Sequence, residues 1–401
     1  MDLSHPNLRA FVGRISRLAP KLVLSELEAP SPGRVEERLI NLLTVMENNI
    51  EDFFILMEYF LKNRAPVPAP NGIISLGDRE FDTILLTPLI VDFGYKHIKY
   101  KTFYNMALGK PVVGQTVDVL NAIRKYCTHE VVPRLGSTQE GATVPRVSPC
   151  LFEIYPFLGI NPRNYELGKM TELLHRCFDG YTGRKDDLHA NMGSFTGAID
   201  EVASNVFAGI KLYPPLDFDP WPRRKSCERD KVEALYRFCE SRQIPITAHC
   251  SDLGFTVANK ADAYTNPRKW RKVLKHYCGL KLNLAHFGDQ RKMFGFIPRH
   301  KWRESIIDLI LTYDKVYTDI SCLAFDKDFY NTFDDLLQSH EADRDKLSQR
   351  ILFGSDFMIN LMWANSYNEY LDLFIKTKTK HMGDREKVLF CNGNPARFLF
   401  L

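Results

Sequence analysis

Apolar residues recur along this chain in two rhythms. Up to about residue 82 the spacing is helical. Val35, Leu39, Leu42, Leu43 and Met46 fall on one face, and Ile50 to Leu61 resumes the pattern after Glu47-Asn48-Asn49. Ser31-Pro32-Gly33 reads as a helix start, a capping serine ahead of a proline at the first helical position. Ala65-Pro66-Val67-Pro68-Ala69-Pro70 lacks the amide donors of a helix or central strand and predicts a connecting loop.

From about residue 83, apolar runs of strand length alternate with helical segments. The runs are Thr83 to Val91, Cys150 to Phe157, Phe207 to Tyr213, Pro245 to His249, Lys281 to His286, Lys315 to Ser321 and Arg350 to Asp356. Helices are predicted over 114–131, 163–178, 226–242, 266–278, 302–313, 327–340 and 363–377. Most runs do not alternate cleanly, as expected of strands covered on both faces. Such an order predicts βαβ units and a parallel sheet.

Lys211, His249, His286, Asp319 and Asp356 sit at or near the ends of successive runs, 38, 37, 33 and 37 residues apart. One βα unit takes about 30 residues or more, so each gap holds one unit. In a closed barrel these ends converge on one face. In an open doubly wound sheet they spread along an edge. Five chemically capable side chains at consecutive ends therefore predict an α/β fold, a TIM-type (β/α)8 barrel over residues 83–401. It is expected to be incomplete, with seven recognisable strands, and residues 1–82 are expected to be a helical segment packed on it.

Composition removes several classes of function. The 401 residues are 45% hydrophobic and 25% charged, ordinary for a globular chain. Lys and Arg number 53 against 49 Asp and Glu, a net charge of +4, so nothing marks a nucleic-acid binder. No apolar run approaches the roughly 18 residues of a membrane span, and Met1-Asp2-Leu3-Ser4-His5-Pro6 lacks a signal-peptide layout. Nine scattered cysteines without a CxxC pair read as reduced thiols of a cytoplasmic protein.

The strand-end residues could carry chemistry. Imidazole and carboxylate suit Zn²⁺, Mn²⁺ or Fe²⁺, and a bound metal makes water a nucleophile at neutral pH. One histidine ending a run is more often a hydrogen-bonded core residue, and one aspartate is often a helix cap. Two histidines and an aspartate in phase at repeat spacing favour a site. Lys211 could bind a substrate anion, become a carbamylated metal ligand, or pair with Asp356.

Gly209-Ile210-Lys211-Leu212-Tyr213-Pro214-Pro215, Ala248-His249-Cys250, Leu284-Ala285-His286-Phe287-Gly288, Asp319-Ile320-Ser321, Leu352-Phe353-Gly354-Ser355-Asp356 and Gly393-Asn394-Pro395-Ala396-Arg397-Phe398 together resemble the amidohydrolase superfamily. The nearest branch is the amidohydrolase-related metal-dependent hydrolases, which include aminocarboxymuconate-semialdehyde decarboxylase-like enzymes. The resemblance implies a barrel with a divalent metal, zinc first among the candidates, at its top face. It implies that His249 and Asp356 hold the metal; Lys211, once carbamylated, is the further ligand candidate. It further implies that His286 and Asp356 act in catalysis, His286 as ligand or acid/base and Asp356 on the metal-bound water.

The family's first strand ends in His-x-His, and this chain contains none among its eleven histidines. Either the chain as given begins downstream of that strand, or the motif has been lost and the protein is a binding relative. The first is the working expectation. Arg223 and Arg291 lie on loops after the fourth and sixth strands, and arginine binds carboxylates in a fork. With Lys211 and Tyr213 they predict a small, carboxylate-bearing substrate. The expected activity is hydrolysis of a C–N or C–O bond, with non-oxidative decarboxylation as the enzymatic rival. The expected partner is a small molecule; self-association stays open.

Overall fold

In this computed structural model the described residues are 50–93, 112–132, 142–193, 202–223, 226–252, 254, 262–290, 301–325 and 327–400. The predicted helix around Val35 to Met46, and Arg224, Lys225 and Arg291, lie outside them.

Eight short parallel strands build the fold: β1 (Ile84–Leu86), β2 (Phe152–Ile154), β3 (Phe157–Gly159), β4 (Gly209–Leu212), β5 (Ile246–His249), β6 (Leu282–Ala285), β7 (Val316–Asp319) and β8 (Ile351–Leu352). β3 to β8 form one sheet in strict sequential order, and β1 pairs with β2. The predicted strand from Cys150 to Phe157 is split at Pro156, which has no N–H to donate. Its neighbour carries Pro88 at the same level. Hydrogen bonds still join the two segments across the break, from Tyr155 N to Leu86 O (2.8 Å), Phe157 N to Pro88 O (2.8 Å) and Ile90 N to Phe157 O (3.1 Å). A bridge between Leu89 and Phe157 extends the pairing into β3. The described residues thus make seven parallel lanes.

Register explains the faces. Lys211 pairs with Thr247, Thr247 with Asn283, and Asn283 with Tyr317. Because side chains alternate along a strand, one face carries Lys211, Thr247, His249, Asn283 and Asp319. The other carries Ile210, Leu212, Ile246, Ala248, Leu282, Leu284 and Val316. Every residue of β4 to β7 is buried. The strands are covered on both faces, as predicted, but they alternate after all, between a polar and an apolar face. Gly209 is required by close approach: an added Cβ would lie 2.5 Å from Pro245 O and 2.4 Å from the Phe157 ring.

The helices that matter for the site are α1 (Ile50–Asn63), α2 (Val112–Thr128), α3 (Leu167–Phe178), α4 (Cys227–Arg242), α5 (Pro267–Leu274), α6 (Lys301–Thr312), α7 (Lys327–Ser339) and α8 (Tyr367–Lys376). Several start as their sequences dictate. Ser226 accepts from Arg229 N at the head of α4, Asn266 precedes Pro267 at α5, and Ser366 caps α8. α2 is shorter than predicted: His129–Val132 leaves the helix as a strand and pairs antiparallel with Ala142–Pro145. β-branched Val131 and Val132 favour that state. Gly72 to Leu76 contributes not to the parallel sheet but to a hairpin, Ile74–Leu76 against Arg79–Phe81.

α1 packs on α2 and on the segment that follows β8. On one side Phe54 meets Tyr126 of α2 edge-on, and Tyr126 stacks on Phe152 of β2. On the other, Phe53 packs on Phe357 just beyond β8. The Asn368 amide of α8 donates to the carbonyls of Phe60, Arg64 and Pro66, at 2.8, 2.9 and 2.9 Å. At the N-terminal end of the strands, Phe398 packs on Tyr317, Phe400 on Tyr155, and Lys281 Nζ donates to Phe400 O at 2.9 Å. That end is closed, which leaves the C-terminal end for chemistry. Among the described residues no helix is long and apolar enough to cross a membrane.

Candidate functional site

The C-terminal ends of β5 and β6 place two imidazoles against each other. His286 Nε2 lies 3.1 Å from His249 Nδ1. His286 follows β6 and adopts a left-handed φ of 64°, with Phe287 at 46°. Cys322 (57°) and Asp356 (52°) do the same after β7 and β8. Non-glycine residues in this region cost about 1–3 kcal/mol each and cluster where function holds them. Here they turn the chain at three successive strand ends.

Asp319, the last residue of β7, organises the pair. Burial opposes its ionisation. Even so, the nearby His286, the His286 amide, the Ser321 hydroxyl and the Asn283 amide hold its carboxyl below the usual carboxylate range. His286 N donates to Oδ1 at 3.0 Å, Asn283 Nδ2 to Oδ2 at 2.7 Å, and the Ser321 hydroxyl to Oδ1. An ionised carboxylate only accepts, so the Ser321 proton points at Asp319. Ser321 Oγ then accepts from His286 Nδ1 at 2.9 Å. In the tautomer with the single proton on Nδ1, His286 presents Nε2 as an acceptor to His249 Nδ1–H. The order of donors is therefore His249 to His286 to Ser321 to Asp319.

Tyr213, just beyond β4, lies beside His249, their rings 4.6 Å apart. Gly254, at φ 107°, passes directly over them: a Cβ there would fall 2.6 Å from Tyr213 Oη and 3.0 Å from His249 Nε2. Only glycine permits that approach. Lys211 is buried on the same face of the sheet, its ammonium 5.9 Å from the Tyr213 ring. Burial lowers its pKa, while the charges of Asp356 and Asp319 oppose the shift. Asp356 Oδ2 accepts from the Cys322 thiol at 3.3 Å.

Lys211, Tyr213, His249, His286 and Asp356 are thus brought together. Arg223 is not placed with them: it is exposed, and its carbonyl accepts the Ser226 hydroxyl at 2.9 Å. Its neighbour Trp221 is held away by stacking on Arg229 of α4, 3.2 Å from the ring centroid. Arg291 lies outside the described residues. Asn283, Ser321, Cys322 and Gly254 are site residues that the apolar runs alone do not reveal. Asn283 was readable from its phase with Lys211 and Thr247. The others follow strand ends and have no periodicity to mark them.

A parallel α/β sheet with acid–base residues at consecutive strand ends defines the class. The chain belongs to the amidohydrolase family, whose model matches residues 175–401. No curated protein matches it. Among solved structures it is similar to a probable 2-pyrone-4,6-dicarboxylic acid hydrolase from Acinetobacter baumannii with citric acid bound. That pair has 12% identity, covers 79% of this chain and 99% of the other, and gives a TM-score of 0.42. It is also similar to an amidohydrolase 2 from Bifidobacterium longum subsp. infantis, with 12% identity, 48% and 61% coverage and a TM-score of 0.30.

The family suggests a divalent metal, and the donor atoms decide whether these residues fit one. Both nitrogens of His286 are engaged, Nε2 by His249 and Nδ1 by Ser321. A ligand nitrogen needs its lone pair, so His286 as placed supplies none. Asp319 is saturated by His286, Asn283 and Ser321. Among the described residues no three His, Cys, Asp or Glu side chains are grouped to hold an ion. In this arrangement the described residues do not fit a metal centre of the three-ligand kind.

Proposed function

We propose that this chain is a hydrolase that cleaves a C–N or C–O bond in a small carboxylate-bearing substrate, using a water activated at the C-terminal strand ends. The observation that carries the reading is the hydrogen-bonded row of His249, His286, Ser321 and Asp319 at the strand ends. In this reading His249 Nε2 takes a proton from water as the water oxygen attacks the acyl carbon. The imidazolium that forms is stabilised through His286 and Ser321 by the buried Asp319 charge. The proton then passes to the leaving nitrogen or oxygen as its bond to carbon breaks. Asp356 orients the water. Lys211 pairs with the substrate carboxylate, which restores the charge that burial disfavours, and Tyr213 flanks it. Arg223 and Arg291 remain proposed anion-binding residues on the surrounding loops.

We read the sheet as the wall of a TIM-type barrel, with α1 filling the place of an eighth strand. Sequential strand order and the packing of α1 on α2 and on Phe357 support this. No step is routed through a metal, because His286 and Asp319 are committed to each other and to Ser321. The test is hydrolysis of a panel of small carboxylate-bearing lactones and amides, with and without EDTA. The reading expects turnover that survives EDTA and is lost in His249→Asn. Turnover abolished by EDTA and restored by Zn²⁺ overturns the relay in favour of metal-bound water. Release of CO₂ overturns hydrolysis in favour of decarboxylation. A second reading, a binding protein without turnover, is favoured by the lack of His-x-His. It expects saturable binding of the same acids and no product.

A further inference from the structure

Asp356 stands just beyond β8 with a left-handed φ of 52°, a conformation costly for a residue with a Cβ and kept only where the surroundings hold it. β8 itself is two residues long and ends at Leu352, so the hold comes from outside the sheet. Tyr370 Oη of α8 donates to Gly354 O at 2.7 Å. Ser355 Oγ accepts from Phe357 N at 3.3 Å, and Asp356 O from Asn360 N at 3.2 Å. The Phe357 ring, next to Asp356 in the chain, packs on two others. Tyr367 of α8 lies 5.2 Å away between centroids at 68°, and Phe53 of α1 lies 5.0 Å away at 55°. The Asn368 amide, one residue beyond Tyr367, ties α1 to α8. α8 therefore grips the loop with Tyr367 and Tyr370 and grips α1 with Asn368.

We propose that Phe53 is a positioning residue for Asp356: by packing on Phe357, helix α1 keeps the Asp356 carboxylate beside the half-buried Cys322 thiol, where Oδ2 accepts from Sγ at 3.3 Å. The proposal rests on the reading of Asp356 as the group that orients the attacking water. One planar peptide unit joins the Cα atoms of Asp356 and Phe357, about 3.8 Å apart. A displacement of Phe357 therefore reaches Asp356 directly. A ring gripped by rings from two helices cannot shift without opening both contacts, and packed interiors pass such shifts on rather than absorb them. Removing the Phe53 ring leaves Phe357 with Tyr367 alone. The loop then keeps its hydrogen bond to Tyr370 but loses the contact from the N-terminal part of the chain. A misplacement of about 1 Å is enough to cost about 10²-fold in rate.

The test compares Phe53→Ala with Phe54→Leu, which loosens α1 on the side facing Tyr126 of α2. A thiol that donates to a carboxylate keeps its proton and alkylates slowly. The rate at which iodoacetamide labels Cys322 in the full chain, read by peptide mass spectrometry, thus reports where Asp356 stands without any turnover. Phe53→Ala should label Cys322 several-fold faster than the parent. Phe54→Leu should label at the parental rate, and Phe53→Tyr, which keeps the ring, should restore it. On whichever lactone or amide the parent hydrolyses, Phe53→Ala should lower kcat by about 10–100-fold with KM nearly unchanged. Should Phe53→Ala fail to fold, Phe53→Leu, which keeps an apolar side chain without the ring, is read in the same way. A Cys322 rate unchanged in the folded Phe53 variant, or raised equally in Phe54→Leu at a matched melting temperature, overturns the proposal. A parent without turnover on any of these compounds defeats the hydrolase reading instead, and the Cys322 rates still decide what holds Asp356.

Discussion

His249 Nδ1 and His286 Nε2 lie 3.1 Å apart, so the two imidazoles act as one hydrogen-bonded unit. The direction of that bond is set two residues away, by a serine whose hydroxyl is claimed by Asp319. Nitrogen-15 spectra of the histidine rings at neutral pH should show both as Nδ1–H tautomers. An Nε2–H signal for His286 would reverse the relay and remove His249 Nε2 as its basic end.

Substitution along the relay should grade the loss. His249→Asn removes the base, and hydrolysis should fall by about 10²–10⁴-fold, the usual worth of a positioned acid–base group. Ser321→Ala keeps the base but frees the His286 tautomer. It should lower kcat less, leave KM nearly unchanged, and shift the pH profile. Equal losses in both variants, measured by steady-state kinetics, would mean that Ser321 does more than orient.

Asp319 links the site to stability. Its folded carboxyl is held below the ordinary carboxylate range, so the folded chain gives up this proton more readily than the unfolded chain. The resulting stability is fully present above the unfolded value of about 3.9, and it is lost as pH falls through the folded one. Urea titrations below pH 5 should show this loss in the parent and a flatter limb in Asp319→Asn. At neutral pH that variant should lose roughly 1.5–3 kcal/mol, the range for hydrogen bonds to a charged group.

Two packing positions give sharper structural tests. Gly254→Ala forces a Cβ between Tyr213 and His249 at a φ of 107°. It should cut activity while leaving the melting temperature little changed, since the residue sits on a loop. Asn394→Ala acts the other way. Its amide donates to Ser348 O at 2.7 Å and Ile351 O at 2.6 Å, anchoring β8 from beneath. Leaving these buried carbonyls unpaired costs about 1–3 kcal/mol, which calorimetry would register without an active-site defect.

Arg146→Ala should be among the more damaging single changes. It strips one of two cationic partners from buried Glu58 and leaves Lys62, so the loss should stay below the roughly 3–5 kcal/mol of a buried pair broken outright. The carboxyl of Glu58, now lowered by Lys62, Tyr126 and Arg146 against its own burial, would then favour its protonated form. Adding Glu58→Gln should recover part of the loss in denaturant titration.

Sequence pattern reaches these features unequally. Polar residues closing apolar runs are visible in a single sequence, and His249, His286 and Asp319 stand where strands end. Thr247 and Asn283 were legible only by their phase with Lys211, because strands of four residues are too short for alternation to declare itself. Pro156 could have announced the break between β2 and β3, since it cannot donate to a ladder. Val131 and Val132 looked like a helix tail, and only the pairing partner at 142–145 makes them a strand. Ser321 and Gly254 act through tertiary contact, which no local window contains. Arg223 shows the converse: a charge on the predicted loop is exposed and is not placed with the site.

The amide of Asn368 grips carbonyls some three hundred positions earlier in the chain. During synthesis α1 leaves the ribosome long before that partner exists. Until the last βα unit arrives, the apolar side of this helix has no permanent mooring on one flank, and contacts so distant in sequence form slowly. A nascent or prematurely terminated product would present Phe53 and its neighbours to whatever is nearby, so assembly of this protein is governed by its final hundred residues.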